Sequence, residues 1–329
     1  MSNARNRKRP RTDNKDHVGQ PIETSQGFTP DKEVYFADGN IDVIAERTAF
    51  RVHRGVLSAH SEVFQDMLSI PQPESTGHGH DVPIVEVTDA ADEMRHLLLV
   101  LYYRNEDFRS QKPAIFGVAS CLVRLAHKYQ IQSVLDDAMG RIKGFYPSDL
   151  DDFKKVFDRQ AANTALIHAE PDCMEVVKLA RLVGDISLLP AAFYRCCQLS
   201  PSFLLGKQPD GTFSNSHRLP DEDIGRCMAG KAYLTSARSF VLHEMRGKGR
   251  SVDCDREDSC DQAFDNMLGE LDLAPSASPH RWCNPFEVGD MPYWSEVLCG
   301  SCGTVVKYRL DHAEQTVWST LPRVFDLKE

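Results

Sequence analysis

Two short apolar runs, Ile41 and Val43 then Phe50 and Val52, lie on either side of the polar pair Glu46-Arg47, a spacing that predicts a tight β-hairpin. The pattern then changes period. Val63, Phe64, Met67 and Leu68 recur at helical intervals, and Ser58 and Ser61 are suitable N-cap residues. The stretch FRVHRGVLSAHSEVF (Phe50 to Phe64) therefore joins a strand to two short helix starts through His53-Arg54. From Ile70 to Val82 the chain is polar and interrupted by Pro71 and Pro73, which predicts a loop with His78 and His80 in solvent. Ile84, Val85 and Val87 then predict a short strand.

Three amphipathic helices follow in the pattern. The first carries Met94, Leu97, Leu98 and Leu101, and the second Ala119, Leu122, Val123, Ala126 and Tyr129. The third carries Val134, Leu135, Ala138, Met139, Ile142 and Phe145, with Gly144 and Pro147 ending it. Helical spacing continues from Phe153 to Gly206, including Met174 to Val183 and a segment opened by Pro190, whose fixed φ suits a first helical turn. Asp221, Glu222 and Asp223 mark another helix start, Arg238, His243 and Arg246 suit the negative end of its dipole, and Gly247 and Gly249 close it. From Ser251 onward the helical period weakens, cysteine and proline become frequent, and Trp318, Leu321, Pro322 and Phe325 form a compact apolar end.

Length and composition set limits on this picture. With 329 residues, 41% of them hydrophobic, the chain can bury a substantial core of about two domains. A net charge of -10 argues against a general nucleic-acid surface, because neutralising phosphates requires clustered cations. The exception is the cluster Arg5, Arg7, Lys8, Arg9 and Arg11, within a polar tail (1–30) expected to be disordered; it reads equally as a nuclear import signal or a solubilising arm. No apolar run reaches the ~18 residues of a membrane helix, and the first residues lack the apolar segment of a secretory signal. A soluble protein of the nucleus or cytoplasm is expected, with its ten cysteines in a reducing compartment.

Cys299-x-x-Cys302-Gly303 has the form of a zinc knuckle, in which a tight turn aims two thiolates at one metal. Two more ligands are required. Cys254 and Cys260 come first by order, and Cys283, His280 and His312 are substitutes. Buried or merely solvated thiols are the competing reading; redox chemistry ranks behind both, since the strand-like run VVKYRL follows the motif where a redox CxxC would open a helix. Cys121, Cys173, Cys196, Cys197 and Cys227 fall within helical patterns as small core residues. His96 and His127 read as surface or packing residues, and Trp282, Trp294 and Trp318 as staples of the Cys-rich end.

The run DVIAERTAFRVHRGVLSAHSEVF, followed in order by PIVEV, HLLLVLYY and LAHKYQI up to about Phe145, resembles the BTB/POZ family. LARLVGDISLLPAAFYRCC, LCGSC and WSTLPRVFDL are similar to a narrower group of fungal, basidiomycete-type BTB proteins. The resemblance implies an α/β (α+β) BTB/POZ domain at 31–147, a mainly helical region at 148–250 and a small Cys-rich module at 251–329. It also favours Cys254 and Cys260 as the remaining zinc ligands. It implies homodimerisation or capture of another protein, with no catalysis. Asp42 and Arg54 occupy the positions of a charged interface pocket in dimeric relatives; the alternative is that Asp42, His53 and Arg54 satisfy backbone groups at the strand-to-helix junction. A cullin is a further partner the resemblance suggests, although its hydrophobic-x-Glu contact reads Gln72-Pro73-Glu74 here.

Three function classes remain. An interaction module leads. An enzyme is disfavoured because the chain lacks a Walker A loop, a Rossmann glycine fingerprint, an HExxH helix and a nucleophile elbow. A nuclear transcription-associated regulator would rest on the basic tail and a zinc site, without any C2H2, bZIP or homeodomain pattern to read DNA.

Overall fold

The computed structural model describes residues 27–70, 82–103, 114–157, 166–167, 169, 171–207, 210–214, 218–247, 249–273, 283–286 and 297–327. The HGH loop, Gln72-Pro73-Glu74, His280, Trp282 and Trp294 lie outside these residues, as does most of the basic tail. Thr29 and Pro30, assigned to that tail by composition, already belong to the first strand.

A four-stranded mixed sheet has the order β1-β3-β2-β4, formed by β1 (Thr29–Tyr35), β2 (Ile41–Ala45), β3 (Thr48–Val52) and β4 (Ile84–Val87). β2 and β3 are the predicted hairpin, antiparallel with Ile41 opposite Val52, while β1 and β4 flank it in parallel. Glu46 takes the left-handed conformation (φ 53°) at the turn, and its carboxylate accepts the Ala91 N–H at 3.1 Å. An anion therefore caps the positive end of α3 (Ala91–Tyr103). Asp31 anchors β1 by accepting the N–H groups of Glu33 and Val34 and pairing with Arg95 of α3 at 2.7 Å. Burial raises the Asp31 pKa, and these donors together more than reverse that, holding its carboxyl below the ordinary range.

α1 (Arg54–His60) and α2 (Glu62–Ser69) follow the hairpin. Ser61 is the N-cap of α2 and also donates its hydroxyl to the Tyr129 carbonyl at 2.5 Å, whereas Ser58 lies inside α1. α4 (Phe116–Lys128) and α5 (Gln132–Phe145) pack together as the second and third predicted helices. Phe64 stacks on Tyr129 at 4.4 Å, joining α2 to the end of α4. Gly144 lies inside α5, whose C-cap is Tyr146.

The chain continues through α6 (Leu150–Phe157), α7 (Asp172–Val183), a 3-10 turn (Ile186–Leu188), α8 (Leu189–Gln198), α9 (Pro201–Leu204) and α10 (Asp221–Arg246). A two-stranded parallel pair, β5 (Ala114–Ile115) with β6 (Leu166–Ile167), bridges the two halves. Arg124 bridges them again, pairing with Glu93 of α3 and with Glu175 of α7 at 2.6 Å.

The last segment corrects the sequence reading. Helical period persists beyond Ser251, as α11 (Glu257–Leu273) and the long α12 (Gly300–Val324), and VVKYRL lies within α12 rather than in a strand. Cys302, Val306, Ala313, Val317 and Leu321 form one buried stripe down α12, so burial against α8 and α10 overrides the β-preference of the local valines. At the far end Phe325 stacks on Phe193 at 5.2 Å and its carbonyl accepts Arg226 Nε at 3.0 Å.

Gly230 of α10 sits under that ring. A Cβ there would stand 2.4 Å from Phe325 Cε1 and 2.8 Å from Cys197 Sγ, too close for either to remain. Gly230→Ala is expected to cost about 1–3 kcal/mol by overpacking. The measurement is the urea midpoint, which should fall with little change in m-value.

Candidate functional site

The hairpin-to-helix junction places all three residues singled out there, but not as one charged pocket. Asp42 is buried on β2, directly opposite Arg51 on β3, and accepts Arg51 Nε and Nη2, each at 2.8 Å. The fork-to-fork geometry answers both carboxylate oxygens. Arg51 also lies over the Tyr35 ring at 4.9 Å, so the pair ties β1, β2 and β3 together. Arg54, by contrast, donates its backbone N–H to Asn40 Oδ1 at 2.8 Å and its guanidinium to the Leu68 carbonyl at the end of α2. Asp42 thus meets Arg51 rather than Arg54.

His53 occupies the N-cap position of α1 without a side-chain cap. Its N–H donates to the Tyr102 hydroxyl at 2.6 Å, its Nδ1 stands 3.3 Å from the same oxygen, and its Nε2 lies 3.4 Å from Asp38. Phe36, stacked on Tyr102 at 4.7 Å, completes a small aromatic cluster with the half-exposed imidazole at its edge. Arg51 and Tyr102 were missed by sequence reasoning. The first was open to it, because a two-residue turn at Glu46-Arg47 puts position 51 opposite position 42; Tyr102 joins the junction only through the packing of α3.

Asp42→Asn removes the anion from Arg51 while keeping the shape. A stability loss of about 1–3 kcal/mol in urea unfolding is expected, with the assembly state unaltered. Loss of assembly at full stability would instead give the carboxylate an interface role.

At the other end of the molecule four thiols converge. Cys254 follows α10, Cys260 lies in the first turn of α11, and Cys299 and Cys302 open α12. Their Sγ atoms all lie within 4.8 Å of one another, with Cys254 and Cys299 3.8 Å apart. Backbone amides point at the sulfurs: Ser251 N–H towards Cys302 at 3.3 Å, Cys299 N–H towards Cys260 at 3.4 Å, and Cys302 N–H towards Cys299 at 3.5 Å. The knuckle is therefore the first turn of a helix, with Cys299 as its N-cap. The Cys302 N–H and then the Asp255 N–H favour the thiolate of Cys299, whose pKa falls to about 7, while burial pushes Cys302 up to about 12. These four are the metal-ligating group that converges among the described residues, and they could hold a metal ion.

Two of the substitute ligands, Cys283 and His312, are elsewhere. Cys283 donates to the Cys197 carbonyl at 3.2 Å, and His312 is exposed on α12 beside Tyr308. Cys121, Cys173, Cys196, Cys197 and Cys227 are all buried in helices, and burial, its largest cause, raises the Cys121 pKa to about 12. Trp318 is a core residue, packed on Phe153 at 4.6 Å and Phe286 at 5.6 Å. Among the described residues no helix is long and apolar enough to cross a membrane.

No curated protein matches the chain in sequence comparison. The hairpin, the two short helices, the fourth strand and the helices α3 to α5 coincide with a family match, and the chain carries a BTB/POZ domain at residues 35–143.

Proposed function

We propose that the protein is an interaction scaffold whose BTB domain binds a second protein chain, first of all another copy of itself, while the helices after Ser148 present a surface to a further partner. The observation that carries this reading is the BTB/POZ match over residues 35–143, since such domains are protein–protein interaction modules. The proposed setting is a reducing one, nucleus or cytoplasm, where the thiols stay free. Size exclusion with light scattering at micromolar concentration is expected to give about twice the 37.0 kDa chain mass. A clean monomer removes the self-association reading. Proximity labelling then separates the finer roles: ligase subunits including a cullin select a substrate adaptor, and chromatin proteins select a nuclear regulator.

The four thiols fit a structural zinc ion, and we assign them that role. Tetrahedral zinc at a Zn–S distance of about 2.3 Å requires sulfur–sulfur edges of about 3.8 Å. The Cys254–Cys299 separation of 3.8 Å has that value, and the remaining pairs lie within 4.8 Å. Four thiolates leave no open position, so zinc here would clamp the α10–α11 connection, α11 and α12 together rather than do chemistry. The amides directed at the sulfurs would share the excess negative charge.

Metal analysis of the purified chain is expected to find about one zinc per chain, and under one tenth after reconstitution excludes a tight site. Because the metal competes with protons for the sulfurs, retention should fall as pH falls. Cys302→Ser should lower both zinc content and the unfolding midpoint, and a variant with unchanged zinc would remove Cys302 from the ligand set.

A further inference from the structure

We propose that Cys254 and Cys299 are an oxidant-responsive pair within the four-thiol site, which hydrogen peroxide converts to a disulfide with release of zinc. The proposal rests on the zinc reading and names how the same site is regulated.

Access differs among the four sulfurs. Cys260, Cys299 and Cys302 are buried, whereas Cys254 is half-exposed. It lies on a connection whose neighbours Val252, 98% exposed, Asp253 and Asp255 are open to solvent. An oxidant in solution therefore meets Cys254 first, exposure being one of the determinants of thiol oxidation. The Cys299 sulfur stands 3.8 Å away and is the resolving partner of the proposal; Cys260 and Cys302, within 4.8 Å, are the competing partners that the test distinguishes. The Cys173 and Cys196 sulfurs are closer to each other, at 3.5 Å, but both are fully buried and offer no entry.

The Cys254 sulfur attacks a peroxide oxygen, the O–O bond breaks, and the departing oxygen leaves as water after taking up a proton, giving a sulfenic acid at Cys254. The Cys299 thiolate then attacks that sulfur, the S–S bond forms, and the hydroxyl leaves as a second water with a second proton. Two electrons pass from the sulfur pair to the peroxide. Cys260 and Cys302, left as two ligands, would no longer hold a zinc ion tightly, and on its release both would take up protons from solvent.

The consequence is selective. The disulfide still ties the segment after α10 to the start of α12, but Cys260 is released, and with it the first turn of α11. The inner face of α11, Ala263 and Phe264, now buried, is the apolar surface this would free.

The test uses the full-length, reduced, zinc-loaded protein and hydrogen peroxide. Zinc release is followed with a chromogenic chelator, linkage by non-reducing peptide mapping, and exposure by hydrogen exchange. About one zinc released per peroxide consumed, a Cys254–Cys299 linked peptide, faster exchange in residues 257–266, and reversal by reductant plus zinc are expected. Cys173→Ala should respond as the parent does, and Cys254→Ser should yield no linked peptide. Zinc retained after oxidation, or a disulfide joining another pair, overturns the proposal. If the protein proves to bind no zinc, the zinc reading fails on its own; mapping the peroxide-treated metal-free chain then decides the pair, a Cys254–Cys299 link supporting it and any other link refuting it.

Discussion

The burial of Trp318 holds the two halves of the molecule together. Its ring packs against Phe153 of α6, Tyr194 of α8 and Phe286, and its Nε1–H donates to the Ser148 carbonyl at 2.7 Å. Ser148 lies just beyond α5, the last helix of the BTB/POZ domain, so a residue near the end of the chain grips the exit of that domain. One turn earlier Glu314, fully buried, pairs with Lys154 of α6. A buried carboxylate is costly without its cation, which makes the docking of α12 specific in register as well as favourable in area. Cys-rich end and helical region consequently share one core, although composition separates them at residue 250.

In the BTB domain the same principle operates on a smaller scale. Its hairpin is held by an ion pair as well as by apolar contacts, because Asp42, buried on the face of β2 opposite to Ile41 and Val43, needs Arg51 across from it. Each polar group at the junction has a partner: His53 uses Tyr102, Arg54 uses Asn40 and Leu68, and Ser61 uses both Phe64 and Tyr129. The acidic balance of the chain agrees with protein partners more readily than with phosphate backbones.

The thiol site shows how α12 connects chemistry to architecture. Cys302 and Trp318 lie on one continuous helix, about 24 Å apart at 1.5 Å per residue. The end that carries two of the four converging thiols and the end that grips Ser148 are therefore rigidly linked, with Arg309 between them bonded to the Arg246 and Gly249 carbonyls at the close of α10. Whatever occupies the sulfurs bears on the helix that joins the halves.

The hairpin, the three helices carrying Met94, Leu122 and Ala138, and the long acidic-start helix at Asp221 were legible in the sequence. Their apolar periods are local. The family resemblance was legible for the same reason, since four short motifs appear in order along the chain. The four cysteines could be nominated by spacing, but three chain segments had to fold before their sulfurs met, and Cys283 and His312 were excluded only by where their helices and turns lie. VVKYRL was misread because two valines favour a strand locally, while the stripe from Cys302 to Leu321 becomes decisive only when α8 and α10 are there to bury it. Local periodicity thus determined which segments are helices and strands over most of the chain. Tertiary packing alone decided which polar groups are paired and which thiols converge, because burial and contact depend on residues far apart in sequence.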